Sequence, residues 1–132
     1  WAYSSKEVIG TLEKIRGPFN VNAIAQISGA MMLKDKNFLK KSIEYNQKWK
    51  IWLTNEIKLL GFETQQSFAN FILVKCNLKK ISAELIVASL KKKKIFIRHM
   101  QNYGLKNYFR ISIGKSNDLK KLVSGLKEIL KK

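Results

Sequence analysis

Cysteine, proline and histidine each occur once in this 132-residue sequence, and arginine only three times. The single cysteine, Cys76, excludes a disulfide framework and a cysteine-based zinc site, and it suits a reducing cytoplasm. The single histidine, His99, has no metal-binding companion and reads as a strand-end residue rather than a ligand. No apolar run approaches the ~20 residues that cross a bilayer, and no signal peptide is visible. What remains is 45% hydrophobic and 11% aromatic, which excludes general disorder. The length suits one domain with a real core, or a piece of a larger one. The start at Trp1, without a Met, reads as a piece of a longer chain.

Acidic residues are also scarce, nine against 26 basic ones, giving a formal charge of +17. Such a charge invites a nucleic-acid reading. Two features weaken that reading. Lysine supplies 23 of the cations, whereas base reading leans on arginine, and the lysines are scattered over every polar face. Solvation of ordinary helix faces accounts for most of them. Arginine scarcity instead gives the few arginines weight: Arg110 sits inside the strand-like Tyr108–Ile113 and Arg98 ends another apolar run. A planar guanidinium grips a carboxylate or phosphate with two parallel hydrogen bonds, which a lysine cannot do.

Along the chain, Ser4 or Ser5 caps a helix through Ile15 that Gly17-Pro18 stops. Asn22 opens a second helix, Val21–Leu33, whose small and apolar residues predict burial. Asp35 caps a long helix to Leu60, ~39 Å at ~1.5 Å per residue, with Phe38, Leu39, Ile43, Trp49, Trp52, Leu53, Ile57 and Leu60 as its stripe and Gly61 closing it. The period then changes to about two. Phe62–Gln66 reads as an edge strand and Ser67–Cys76 as a stronger one. Ile81–Lys92 reads as a helix with Leu85, Ile86 and Leu90 inward, Ile95–Arg98 and Tyr108–Ile113 as strands, and a last helix capped by Ser116 carries Leu119, Leu122, Val123, Leu126, Ile129 and Leu130. The expected class is α+β: a long interdomain helix followed by a small ββαββα domain, its largely antiparallel sheet covered by helices on one face.

Four strings, RGPFNVNAIAQ (Arg16–Gln26), SFANFILV (Ser67–Val74), IFIR (Ile95–Arg98) and FRISIG (Phe109–Gly114), in this order and spacing, resemble the C-terminal part of the histidinol-phosphate aminotransferases, within the fold type I pyridoxal-phosphate enzymes. The Trp1–Tyr3 string WAY resembles the residues just after the family's catalytic-lysine segment. The resemblance implies residues 1–20 as a remnant of a large cofactor-binding domain, 21–61 as interdomain helices and 62–132 as the small domain. It implies a cytoplasmic enzyme, homodimeric at full length, that exchanges an amino group between histidinol phosphate and 2-oxoglutarate. Its partners would be a small amino-acid or phosphorylated amino substrate, with no membrane and no nucleic acid. Arg110 falls on the family's carboxylate-binding arginine, Arg98 on a second arginine for the phosphate or other acidic end, and Asn70 on a nearby asparagine. The cofactor, pyridoxal 5'-phosphate, would be bound by residues upstream of this chain. No lysine here lies in a Schiff-base context, so catalytic and cofactor-binding residues are absent and the fragment is expected to be inactive alone.

The sequence departs from that family at three places. Lys94 stands where a glycine is usual, at a position suited to positive φ; Lys50 replaces an arginine of the long helix; Lys115 replaces a threonine. Two alternatives keep their place: another class I/II aminotransferase or a threonine-phosphate decarboxylase-like enzyme, and, from a different class, a basic nucleic-acid-binding module.

Overall fold

Four of the five described α-helices begin where a short polar side chain accepts from an orphan amide of the first turn. In the computed structural model, which describes residues 3–18 and 20–131, Ser5 accepts from the Val8 amide at 3.4 Å and starts α1 (Lys6–Ile15). Asn22 Oδ1 accepts from Ala25 at 2.8 Å and starts α2 (Ala23–Lys34); Asp35 Oδ1 accepts from Phe38 at 2.9 Å and starts α3 (Lys36–Leu59). Trp1, Ala2, Phe19 and Lys132 lie outside the described residues, and with them most of the WAY segment and one residue of PFNVN.

The chain forms two compact units, Trp1–Lys40 and Lys41–Lys132. The first contains α1, α2 and the opening of α3. The expected burial of α2 is not found: none of its residues is buried, and Ile24 is 78% exposed. An apolar helix is covered only where a second layer exists, and this unit of two helices and one helix end does not supply one.

In the second unit, α3 ends in two reciprocal hydrogen bonds, Gly61 N to Lys58 O at 2.9 Å and Phe62 N to Ile57 O at 3.3 Å. This closure needs a left-handed residue, and Gly61 has φ +86°. At 24 residues, α3 is about 36 Å long. Four strands follow, β1 (Glu63–Thr64), β2 (Phe71–Lys75), β3 (Arg98–His99) and β4 (Tyr108–Ser112), interleaved with α4 (Ala83–Lys92) before β3 and α5 (Ser116–Leu130) after β4. The sheet is antiparallel throughout in the order β1-β2-β4-β3, so the ββαββα expectation holds. Ile72 and Val74 of β2 and Phe109 and Ile111 of β4 face a core completed by Leu53 and Ile57 of α3, Ile86 and Leu90 of α4, and Leu122 and Leu126 of α5. Phe109 packs edge-on against Phe62, centroids 5.7 Å apart. Helix α5 approaches α4 closely at Gly125, where a Cβ would come within 3.1 Å of Leu90. No described helix is long and apolar enough to cross a membrane, and no described polar or charged residue is buried.

Several local expectations shift. Ser67–Asn70 is not part of β2, because Ser67 Oγ accepts from the Ala69 amide at 3.3 Å and donates to Phe71 O, diverting backbone groups from the ladder. The strand expected at Ile95–Arg98 is paired only at Arg98–His99. Residues before it belong to the closure of α4, where Lys94 N donates to Lys91 O and Ile95 N to Leu90 O, both at 3.0 Å. Leu85 is 57% exposed while Ala83 is buried, since the inward stripe of α4 runs Ala83, Ile86, Leu90. Lys115 is the N-cap of α5, without a side-chain bond, and Ser116 is the first helical residue. Lys94 has φ +60°, as its departure from glycine required, and a side chain in this region costs about 1–2 kcal/mol.

Two outcomes are expected from this core. Phe109→Ala should lower the stability of the second unit by about 3–5 kcal/mol in urea unfolding. Burial pushes the Cys76 thiol up. A raised folded-state value means its contribution is complete below the unfolded thiol pKa of about 8.5 and is lost as pH rises through the folded value. The urea midpoint of the protein should therefore fall more steeply above about pH 8.5 than that of Cys76→Ala.

Candidate functional site

Burying Phe109 and Ile111 turns Arg110, between them, to the opposite face of the sheet. The register sets Arg110 directly opposite Leu73 of β2 on one side and opposite Arg98 of β3 on the other. Two arginines are thus cross-strand neighbours in one pair, an arrangement of like charges that is destabilising in itself. Among the described residues neither arginine has a carboxylate within ion-pair distance. The Arg110 guanidinium lies 5.0 Å from the centre of the Phe71 ring, and its Nε is shielded from solvent without an acceptor. An unmet buried donor costs about 1–3 kcal/mol, so an acceptor reaching this Nε would be stabilising. Arg98 Nη2 donates to Tyr103 Oη at 3.2 Å, and the guanidinium sits 5.4 Å from that ring, leaving its other donors available.

Both arginines line an open cavity of ≈ 850 Å³ between the 93–98 segment, the end of β4 and the start of α5. Buried Ile111, Leu119 and Leu122 form its apolar floor, while Lys93, Lys94 and Lys121 add to its positive charge and Asp118 is its one carboxylate. The structure therefore brings Arg98 and Arg110 together. Asn70 lies outside the cavity lining, at the end of β2, where its carbonyl accepts from the Ile113 amide at 2.8 Å. His99 Nε2 contacts Lys106 O at 2.8 Å, in keeping with a strand-end role.

Three side chains of α3 hold the backbone around the Asn70–Ile113 link. Lys50 Nζ and Asn46 Nδ2 donate to Ala69 O at 3.3 and 3.5 Å, and Tyr45 Oη donates to Gly114 O at 3.3 Å. Tyr45 and Asn46 carried no signal in the sequence, because polar residues on a long helix are ordinarily solvated. Lys121 and Asp118 carried no signal of their own either. Lys94 was marked by its unusual backbone position alone.

The sequence matches the family described as "Aminotransferase class I and II" over residues 1–126. It is 35% identical over 133 residues to a histidinol-phosphate aminotransferase of Maricaulis maris, covering 99% of this chain and 36% of that protein. In three dimensions it resembles the histidinol-phosphate aminotransferase of Clostridium acetobutylicum, with TM-score 0.76 and 28% identity over 96% of this chain and 38% of the other. The fold is also that of the Sinorhizobium meliloti histidinol-phosphate aminotransferase solved with pyridoxal-5'-phosphate, with TM-score 0.78 and 24% identity over 95% and 34% of the two chains. The chain thus spans about a third of the length of the relatives it matches. Pyridoxal phosphate requires a lysine amine in a desolvated setting. No described lysine is buried, so the described residues do not fit the role of cofactor anchor.

Lys50→Met removes one of the two donors on Ala69 O while keeping the stem. Stability should fall by about 1 kcal/mol, and exchange of the Ile113 amide should rise roughly five-fold. Unchanged exchange would show that the helix does not brace this link.

Proposed function

The chain belongs to the class I and II aminotransferases, and on that premise we propose that it is the substrate-binding C-terminal part of an enzyme exchanging an amino group between histidinol phosphate and 2-oxoglutarate. The observation that carries this reading is the Arg98–Arg110 pair, two cross-strand neighbours that both line the cavity, with no carboxylate partner among the described residues. The names and similarity of the relatives support the choice of substrates.

In this reading Arg110 grips the carboxylate of glutamate or 2-oxoglutarate bidentately, and Arg98 holds the phosphate or the second carboxylate. One site has to accept a dicarboxylate in one half-reaction and a phosphate ester in the other. A pair of forks, one clamped over Phe71 and one tethered only to Tyr103, suits that alternation. Asn70 lies at the edge of this site, its backbone fixed by Ile113. Pyridoxal phosphate, when bound, supplies the electron sink of the reaction. Its lysine and phosphate contacts belong to residues outside this chain, and the 132-residue chain alone is inactive. Residues 1–20 then belong with the cofactor-binding domain, 21–61 form the connection and 62–132 the small domain, in a cytoplasmic homodimer.

Arg110→Lys in the full-length enzyme should keep the charge and lose the bidentate grip. The KM for glutamate and 2-oxoglutarate should rise about ten- to a hundred-fold, for a loss of about 1.5–3 kcal/mol, while the bound-cofactor absorbance is unchanged. An unaltered KM would retire the assignment.

A further inference from the structure

The two helix ends that close by the same pair of backbone bonds differ at one residue. After α3 the left-handed position holds Gly61; after α4 it holds Lys94, the one non-glycine residue with positive φ among those described. Glycine occupies that geometry freely and lysine does not. Lys93, its neighbour, is ion-paired with Glu128, and Lys127 with Glu56, whereas Lys94 is exposed and its side chain makes no described hydrogen bond or ion pair. What Lys94 does do is line the cavity that contains Arg98 and Arg110.

We propose that Lys94 is a specificity-determining residue of this cavity, adding a mobile positive charge beside the two arginines that makes it favour phosphomonoesters over carboxylates. The inference rests on the reading of the arginine pair as an anion site. A carboxylate carries one negative charge and is satisfied by a guanidinium fork, while a phosphomonoester carries about −1.5 to −2 at pH 7 and has three acceptor oxygens. An ammonium on a flexible four-carbon stem can meet the oxygen that the planar forks leave over. It need not be fixed in the absence of ligand, and Lys94 has no described partner that fixes it.

The test uses phenyl phosphate and benzoate, a pair differing in the anionic group, titrated into the full-length, cofactor-loaded enzyme by calorimetry at constant ionic strength. The protein should bind phenyl phosphate more tightly than benzoate. Lys94→Gly should lose about five-fold in phenyl phosphate affinity and less than two-fold in benzoate affinity, while its unfolding midpoint rises as the backbone strain is relieved. Lys94→Gln, which keeps the strain and drops the charge, should show the same loss without the gain in stability, and Lys94→Arg should restore binding. A purely structural residue would raise stability in Lys94→Gly and leave both affinities alone; that result overturns the inference, as does a protein that binds neither probe or binds them equally. Arg98→Gln and Arg110→Gln separate the two readings. If they abolish binding while Lys94→Gly does not alter it, this inference alone falls; if they leave binding unchanged, the anion site itself falls.

Discussion

Strand β4 alternates, and the whole arrangement of the site depends on it. Phe109 and Ile111 are buried against three helices, and a pleated strand cannot bury both without presenting the residue between them to the other side. Arg110 is therefore held by the largest fully buried side chain among the described residues on one flank and by a second core residue on the other. Its aim is as rigid as the core. Two antiparallel pairings then fix its neighbours, Leu73 and Arg98, with no need for a contact between the arginine side chains themselves.

The long helix contributes differently. Leu53 and Ile57 enter the core, while Tyr45, Asn46 and Lys50 lie further back along the helix and reach backbone carbonyls at Ala69 and Gly114. One element thus both packs the sheet and steadies the end of it where β2 and β4 stop pairing. Tyr45, Trp49 and Trp52 add a tilted and an edge-on ring contact along the same helix, at 6.1 and 5.2 Å between centroids. The tryptophans that read as part of an apolar stripe in the sequence are half-buried supports for the polar residues beside them.

Much of this was legible in the sequence because it is encoded locally. Caps at Ser5, Asn22 and Asp35, the stop at Gly61, and the change of period after it depend on a few adjacent residues each. The alternation around Arg110 likewise named the buried and open faces. Errors arose where a non-local partner or a side chain intervened. Ser67 captured backbone groups that the pattern assigned to β2, and the closure of α4 consumed the residues expected to open β3. The facing of Arg98 and Arg110 is set by the 100–107 connection and could not be read from periodicity, which distinguishes faces but not neighbours. Asn70, matched by its string alone, is at the sheet's end and outside the cavity lining.

The described core holds no polar or charged side chain, whereas the charged residues on the cavity wall are cationic except for Asp118. Dissolved ions consequently act on the two parts in opposite senses. Screening contracts from about 10 Å at 0.1 M salt to about 3 Å at 1 M and dulls the pull of the cavity on any anion, while excluded salts such as sulfate strengthen apolar burial. A concentrated sulfate solution thus flattens the electrostatic field of the cavity and tightens the apolar scaffold at once, two opposite responses of one fold to one solute.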